Sequence, residues 1–446
     1  MTGMDRIARF VLDPDLEVPD SALDMAATLL VDTLGVCAGG ATMEAGHIAR
    51  DFAVDFHSAG NPALAAPLLF DGRSASLPGA AYAAATQIDN LDAHDGYNPT
   101  RGHIGCAVVP ALFAFAAQQP GLTGRQALTA LAMSYEIAAC AGIALHATVT
   151  DYHTSGAWNA LGVAALGARL RGHDMNTLRH GLGIAEYHGP RSQMMREIAN
   201  PTMLHDGSGI GALAGVSATL LAERGFLGAP AITVEASEAA EHWADLGNVW
   251  TIEQNYIKPY PICRWAHAAI DAAQFLVTTH KLVADDISAI EINTFHQAAC
   301  LFPGVPGTTS QAQYSLAYAV AVLVNHGHIG PAHVSGAALQ NPATAALVKK
   351  ITTHEDARHS DRFPAGRWSD VTMKLKNGQI IHSGDVHARG GPESPMAQSE
   401  IRAKFNAMVE PRFGATRADH IWAAGMSLTD KSTLFADLGT LVTKGP

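Results

Sequence analysis

Four stretches of the chain carry residue types that could move a proton or bind an anion. The first is Asp89-Asn-Leu-Asp92-Ala-His94-Asp95-Gly-Tyr97-Asn-Pro-Thr-Arg101-Gly-His103, which gathers acids, histidines and an arginine into one loop. Loops of this kind carry function more often than core. His103, held in one tautomer by a nearby carboxylate, could transfer a proton. A solvated acidic turn is the plainer reading, and a divalent metal site built from Asp92, His94 and Asp95 is a third. The second stretch, Asp151-Tyr152-His153-Thr154-Ser155-Gly156, leads into a helix that Thr154 or Ser155 would cap. A helix N-terminus favours an anion, which places His153 at the mouth of an anion site unless it is a simple turn residue.

The third stretch runs Lys258-Pro-Tyr260-Pro-Ile-Cys263-Arg264-Trp-Ala-His267-Ala-Ala-Ile-Asp271. A lysine precedes a stiff turn, and Cys263, His267 and Asp271 then recur every four residues, as on one helix face. Arg264 can clamp a carboxylate with two hydrogen bonds. Cys263 could be a nucleophile, but a small buried thiol is the better reading. The fourth stretch, Gln311 to Tyr318, puts Tyr318 in an apolar helix, where a core role is the ordinary alternative.

The elements that must position these groups are mostly helical. Ala22 to Gly35 has apolar residues at helical spacing and is stopped by Gly39-Gly40. Thr123 and Gln126 form a capping box before a helix over Arg125 to Leu145. Ala157 to Leu170 and Gly211 to Arg224 are small-residue runs that suit closely packed bundle helices. Pro-Tyr-Pro at 259–261 ends this regime. Beyond it, Ile287 to Thr294 reads as a strand, and Val371, Met373 and Leu375 alternate up to Asn377-Gly378, a hairpin signal, before Ile380 and Ile381. Leu316 to Val324, Ala343 to Lys350 (with Pro342 in its first turn) and Ser399 to Val409 read as helices. The expected fold is mainly α with a second α+β domain: a large helical bundle over 1–257, a smaller α+β domain inserted over 258–389, and a return to the helical domain over 390–446.

Composition narrows the function classes. The 446 residues are 48% hydrophobic and 16% charged, which excludes a disordered chain or a coiled coil. A net charge of −12 argues against a nucleic-acid partner. The longest apolar run, Cys106 to Ala117, is interrupted by Pro110 and is short of the ~20 residues a spanning helix needs, so no membrane segment is expected. The N-terminus shows no signal-peptide pattern, and five scattered cysteines suit reduced thiols, so a cytoplasmic location is expected. No Walker loop, H-E-x-x-H or metal-spaced cysteine cluster occurs. The glycine-rich run 207–215 lacks the third glycine of a dinucleotide fingerprint and fits helix packing instead.

Taken together these blocks resemble the methylcitrate dehydratase family (MmgE/PrpD), which also contains cis-aconitate decarboxylase. The matching features are Asp32-Thr-Leu-Gly35, the acidic loop ending at His103, Tyr135-Glu136, Tyr152-His153, Leu204-His205, Lys258 to His267, Tyr314-Ser-Leu316, Pro392-Glu-Ser-Pro-Met396 and Lys404-Phe405. The resemblance implies a helical domain joined to an α+β domain, a homodimer, an active site between domains, and small di- or tricarboxylate substrates that lose a proton beside a carboxylate. It implies no metal or organic cofactor. The family's active-site positions fall on Asp92, His103, His153, Lys258, His267 and Tyr318. Three positions depart from the usual pattern: His94 replaces an acid, Gly96 a threonine and Thr202 a lysine. The pattern is then similar to the divergent iminodisuccinate epimerase branch.

Removing such a proton creates an enediolate dianion, so cations must stand where the charge grows, and Lys258 and Arg264 are the candidates. The expected catalytic residues are His103, His153, Lys258, His267 and Tyr318. The expected substrate contacts are Asp92, Arg264, Arg191, Arg196 and Tyr152, with no metal. The leading expectation is an epimerase of an iminodisuccinate-like aminopolycarboxylate. The alternatives are a hydro-lyase acting on a methylcitrate-like hydroxy acid and a non-catalytic carboxylate-binding relative.

Overall fold

The structure, a computed structural model, describes residues 3–446. The first part is helical, in the order α1 Gly3–Leu12, α2 Asp20–Gly40, α3 Glu44–Phe56, α4 Leu77–Asp89, α5 Gly105–Ala116, α6 Gly124–Thr148, α7 Gly156–Leu170, α8 Met175–His188, α9 Met194–Ala199, α10 Ser208–Glu223 and α11 Ile232–Glu235. A two-stranded ribbon, β1 Ala65–Pro67 and β2 Ser74–Ser76, precedes α4. The Thr123/Gln126 capping box forms as expected. The small-residue runs also act as expected. A Cβ on Gly162 of α7 would come within 2.8 Å of Ser134 O in α6, and one on Gly215 of α10 within 2.6 Å of Ala160 O in α7. Only glycine lets these three helices approach so closely.

The second part mixes helices and strands: α12 His267–His280, β3 Ile287–Thr294, α13 His296–Ala299, α14 Thr309–Gln313, α15 Leu316–His326, α16 Pro342–Val348, β4 Ile351–Glu355, α17 Ala357–Ser360, β5 Trp368–Leu375, β6 Ile380–His382 and β7 Val386–His387. The strand order is β4-β3-β5-β6, with β7 paired to β5. β3 runs parallel to β4 and antiparallel to β5. The hairpin pairs Thr372 with His382 across Asn377-Gly378, where Gly378 takes φ 90°. β4 was not expected; it is an edge strand whose residues are half-buried or exposed, so it has no clean alternation to read. The chain then returns through α18 Gln398–Phe413, α19 Ala415–Met426 and α20 Phe435–Val442. α18 packs on α2: Phe405 fills the space over Gly35, and Lys404 Nζ bonds Asp32 Oδ2 at 2.8 Å.

Three local readings change. α5 continues through Pro110, which forfeits one helical hydrogen bond without ending the helix. Cys263 lies outside the helix that carries His267 and Asp271, because the Pro-Tyr-Pro turn delays α12 until His267. Two helices, α2 and α6, are long and apolar enough to cross a membrane by length and composition, contrary to the expectation from the longest apolar run; their most apolar windows are 83% and 89% buried within the fold.

Candidate active site

The acidic loop after α4 turns sharply at Asp92, which adopts φ 57°, and again at Arg101, with φ 55°. A third left-handed residue, His205 with φ 46°, lies on the loop before α10. Such backbone is costly for residues other than glycine and is typical of functional sites. The three turns bring Asp92, Arg101, His103 and Asp206 to one small cavity, whose remaining wall includes Tyr152, Tyr256, Cys263, Arg264, Trp265, Tyr314 and Arg367. The enclosed space is about 20 Å³, room for roughly one water molecule. A larger groove of about 930 Å³ lies elsewhere, between Leu12–Glu17 and Gln119–Thr129, but no histidine or cysteine lines it.

His103 is the best-defined group in the cavity. Its backbone N–H donates to Ser155 Oγ at 2.9 Å, and Ser155 Oγ donates to Asp206 Oδ1 at 2.6 Å. Its Nδ1 is 2.7 Å from Asp95 O. A carbonyl only accepts, so Nδ1 carries the proton and Nε2 keeps its lone pair. Nε2 faces Asp206 Oδ2 at 3.8 Å. Burial, and then the Lys258 charge, push the imidazole down to about 4, against the pull of Asp206. The Tyr256 hydroxyl stands beside His103, in space that a side chain at position 96 would fill: a Cβ there would lie 2.9 Å from His103 Nδ1 and closer still to the Tyr256 oxygen. Gly96 is therefore what admits Tyr256.

Asp92 and Lys258 form a buried ion pair through Oδ1 and Nζ, and Nζ also donates to Asp92 O at 3.2 Å. Burial opposes the ammonium, but Asp92 outweighs it and holds Lys258 above its ordinary value. Burial lifts Asp92 to about 6 against the attraction of Lys258. Three guanidiniums flank the cavity. Arg264 stacks 4.2 Å from the Tyr256 ring centre and donates to Ala388 O and Arg389 O. Arg101 lies 4.4 Å over the Tyr152 ring. Arg367 donates to Pro364 O and Gly366 O, and burial lowers it to about 10, which leaves it charged at neutral pH. Burial pushes the Cys263 thiol up to about 12, so it is no ready nucleophile.

Of the expected site residues, the fold brings Asp92, His103, Tyr152 and Arg264 to the cavity wall, with Lys258 directly behind Asp92. Others lie elsewhere. His153 stacks on His146, with ring centres 6.5 Å apart, and pairs its backbone with Gln193. Arg191 and Arg196 are exposed and do not line the cavity. His267 Nε2 is spent on Ile262 O at 2.9 Å, tying down the preceding turn. The Tyr318 hydroxyl donates to His333 O at 2.9 Å, so its bond is to backbone. Ser155 does not cap α7 through its side chain, because Asp206 takes its hydroxyl. Asp92, His94 and Asp95 do not form one ligand set: Lys258 holds Asp92, and Asp95 Oδ2 accepts from Tyr135 at 3.1 Å.

Sequence reasoning missed Asp206, Tyr256 and Arg367, and it noted Tyr314 without giving it a place in the site. Asp206 had one usable signal, its place beside His205 just before a helix start. Arg367 had none, standing alone in the loop before β5.

The chain as a whole is similar to proteins already described. The family model described as MmgE/PrpD N-terminal domain matches residues 5–245, and the MmgE/PrpD C-terminal domain matches residues 260–430. The cis-aconitate decarboxylase of Homo sapiens is 23% identical over 420 residues, covering 87% of this chain and 83% of that protein.

Proposed function

The chain belongs to the MmgE/PrpD family, and on that premise we propose that it is a lyase-type enzyme that takes a proton from the carbon beside a carboxylate of a small polycarboxylate. One observation carries the reading: His103 spends Nδ1 on Asp95 O and keeps Nε2 free beside a cavity flanked by three guanidiniums. As the C–H bond breaks, Nε2 receives the proton and the electron pair moves onto the neighbouring carboxylate, making an enediolate. Arg101, Arg264 and Arg367 are placed to hold the substrate carboxylates and this growing charge. A donor aimed at such charge is typically worth about 3 kcal/mol. Asp206 steadies the imidazolium that forms. Lys258 acts mainly through Asp92, whose charge it balances. The cavity admits a polycarboxylate only when its two walls part, and the division at 257/258 and 389/390 is where we place that separation.

The class of the relative supports elimination, in which one base takes the proton at carbon while an acid protonates the leaving hydroxyl, or decarboxylation, in which CO2 leaves and one acid protonates the carbon; each needs a single proton-transfer group at carbon. Epimerisation needs a second acid–base group across the carbon, and His153, the residue expected for it, lies outside the cavity. The epimerase of an iminodisuccinate-like substrate stays as a second reading because of Thr202. Its hydroxyl bonds Glu197 at 2.8 Å, so nothing at 202 supplies the lysine that the dehydratase pattern carries there.

Proton NMR in deuterium oxide tests both readings on hydroxy-, unsaturated and amino-substituted polycarboxylates. A new alkene signal or loss of a carboxyl group is the expected result. Exchange of the α-proton with no change of skeleton would shift the assignment to the epimerase. Absence of both, with every substrate, would overturn the enzymatic reading.

A further inference from the structure

Next to His103, three side chains that the proton chemistry does not use come together. Asp89 ends α4, His94 follows in the loop, and Cys106 lies in the first turn of α5. None of them lines the cavity, and all three are buried. One donor atom from each lies within 4.8 Å of the other two. Asp89 Oδ1 and His94 Nε2 are 3.8 Å apart. Asp89 Oδ1 and both ring nitrogens of His94 have no hydrogen-bond partner among the described residues. Buried polar atoms are nearly always paired, so two unpaired ones that face each other, Asp89 Oδ1 and His94 Nε2, call for a ligand between them.

We propose that Asp89, His94 and Cys106 hold a divalent transition-metal ion of the borderline-soft kind typified by Zn²⁺. The donor set mixes oxygen, nitrogen and sulfur, which suits such an ion and not calcium or magnesium. Bonds of about 2.0–2.3 Å in a tetrahedron separate donors by roughly 3.3–3.8 Å, which the Asp89–His94 pair meets at 3.8 Å, with Cys106 within 4.8 Å of both. Charge also balances: a carboxylate and a thiolate neutralise the ion, and the imidazole is neutral. The second sphere is in place. Asp89 Oδ2 accepts the Ser208 N–H at 3.1 Å, which leaves Oδ1 for the ion, and Ser208 Oγ, 3.2 Å from Cys106 Sγ, is placed to donate to the thiolate.

Two other clusters have the right residue types but are already filled. Asp92, His94 and His103 would share His94, but the Lys258 ammonium sits on Asp92 and repels a second cation. Asp356, His359 and Asp370 are bridged by the Arg358 guanidinium, 2.7 Å from Asp370. The ion would have a positioning role. The His94 ring packs edge-on against His103, with centres 4.4 Å apart, so fixing one imidazole fixes the flank of the other.

The test uses the full chain loaded with Co²⁺ alone, after which unbound metal is removed by gel filtration. The expected result is about one ion per chain with a thiolate-to-cobalt charge-transfer band in the near ultraviolet. Cys106→Ser and His94→Gln should abolish the band. Cys300→Ser should not, although Cys300 Sγ sits 3.7 Å from His296 Nε2 on the surface and is the main competing thiol. Should the buried variants fail to fold, X-ray absorption of the loaded wild-type protein decides, with one sulfur and two or three lighter neighbours expected. No retained metal, a band that survives Cys106→Ser or disappears in Cys300→Ser, or a shell without sulfur would each overturn the site.

Discussion

The two walls of the cavity hold their charges by opposite means. In the helical wall and the layer directly behind it, acids rest on helix N-termini. Gly105 N–H at the start of α5 reaches Asp95 at 3.4 Å, Ser155 N–H before α7 reaches Asp206 at 3.3 Å, and Ser208 N–H at the start of α10 reaches Asp89 at 3.1 Å. Burial raises the Asp89 and Asp95 carboxyls, Asp95 to about 7, and the N–H groups at these helix starts oppose that shift. In the α+β wall, cations rest on backbone carbonyls. Arg264 is held by Ala388 O and Arg389 O, and Arg367 by Pro364 O and Gly366 O. Neither guanidinium is neutralised by a carboxylate at these bonds, so both keep charge to offer an anion. The lesson is a division of labour: the helical wall holds and moves protons and adds Arg101, the α+β wall supplies the other two guanidiniums, and Asp92–Lys258 is the buried ion pair that joins them.

The sharpest way to break this comparison is to substitute one wall at a time. His103→Gln should lower kcat by about 10²- to 10⁴-fold, the usual worth of a positioned base, with little change in Tm. Arg367→Lys keeps the charge but loses the paired donors, and should raise KM about 10- to 150-fold, a guanidinium hydrogen bond being worth roughly 1.5–3 kcal/mol, with a fall in kcat smaller than that of His103→Gln. Steady-state kinetics and a thermal melt on both variants check this. If Arg367→Lys costs kcat as much as His103→Gln, the labour is not divided in this way.

The joint between the walls gives the next effect. Lys258→Met leaves Asp92 buried without its cation and should cost about 3 kcal/mol or more in a denaturant melt. Adding Asp92→Asn should recover most of that loss. A double variant as unstable as the single one would mean that Lys258 matters for something other than Asp92.

The smallest effect concerns the helical side alone. Glu136 on α6 accepts from Thr251 Oγ1 at 2.7 Å and from Ile252 N–H at 3.2 Å, which anchors the segment leading to Tyr256 and Lys258. Burial raises its carboxyl to about 7. The folded state therefore binds this proton more tightly than the unfolded state, and the associated stability is present below the unfolded value of about 4.3 and lost as pH rises through about 7. Glu136→Gln should flatten that decline in melts across this window. An unchanged slope would mean that Glu136 does not titrate there.

How much of this was legible depends on the range of the interactions. The Thr123/Gln126 cap, the Asn377-Gly378 hairpin and the α7 and α10 runs were readable, because each rests on contacts within a few residues. The Lys258 block and the loop to His103 were also readable as chemistry, since unusual residue types cluster in short spans. His153, His267 and Tyr318 looked equally suitable in one dimension. His267 Nε2 and the Tyr318 hydroxyl turn out to bond Ile262 O and His333 O, and the His153 ring stacks on His146, partners that only folding selects.

The amino-acid sequence by itself determined the helical and α+β composition, the caps and turns, and the supply of histidines, acids and cations. Only the tertiary structure decided that Arg367 and Asp206 face His103 while Arg191 and Arg196 face solvent, and that Cys106 joins Asp89 and His94. The reason is physical. Propensity and capping act between neighbours in the chain, whereas the desolvation that makes a charge or a lone pair reactive depends on which distant segments close over it.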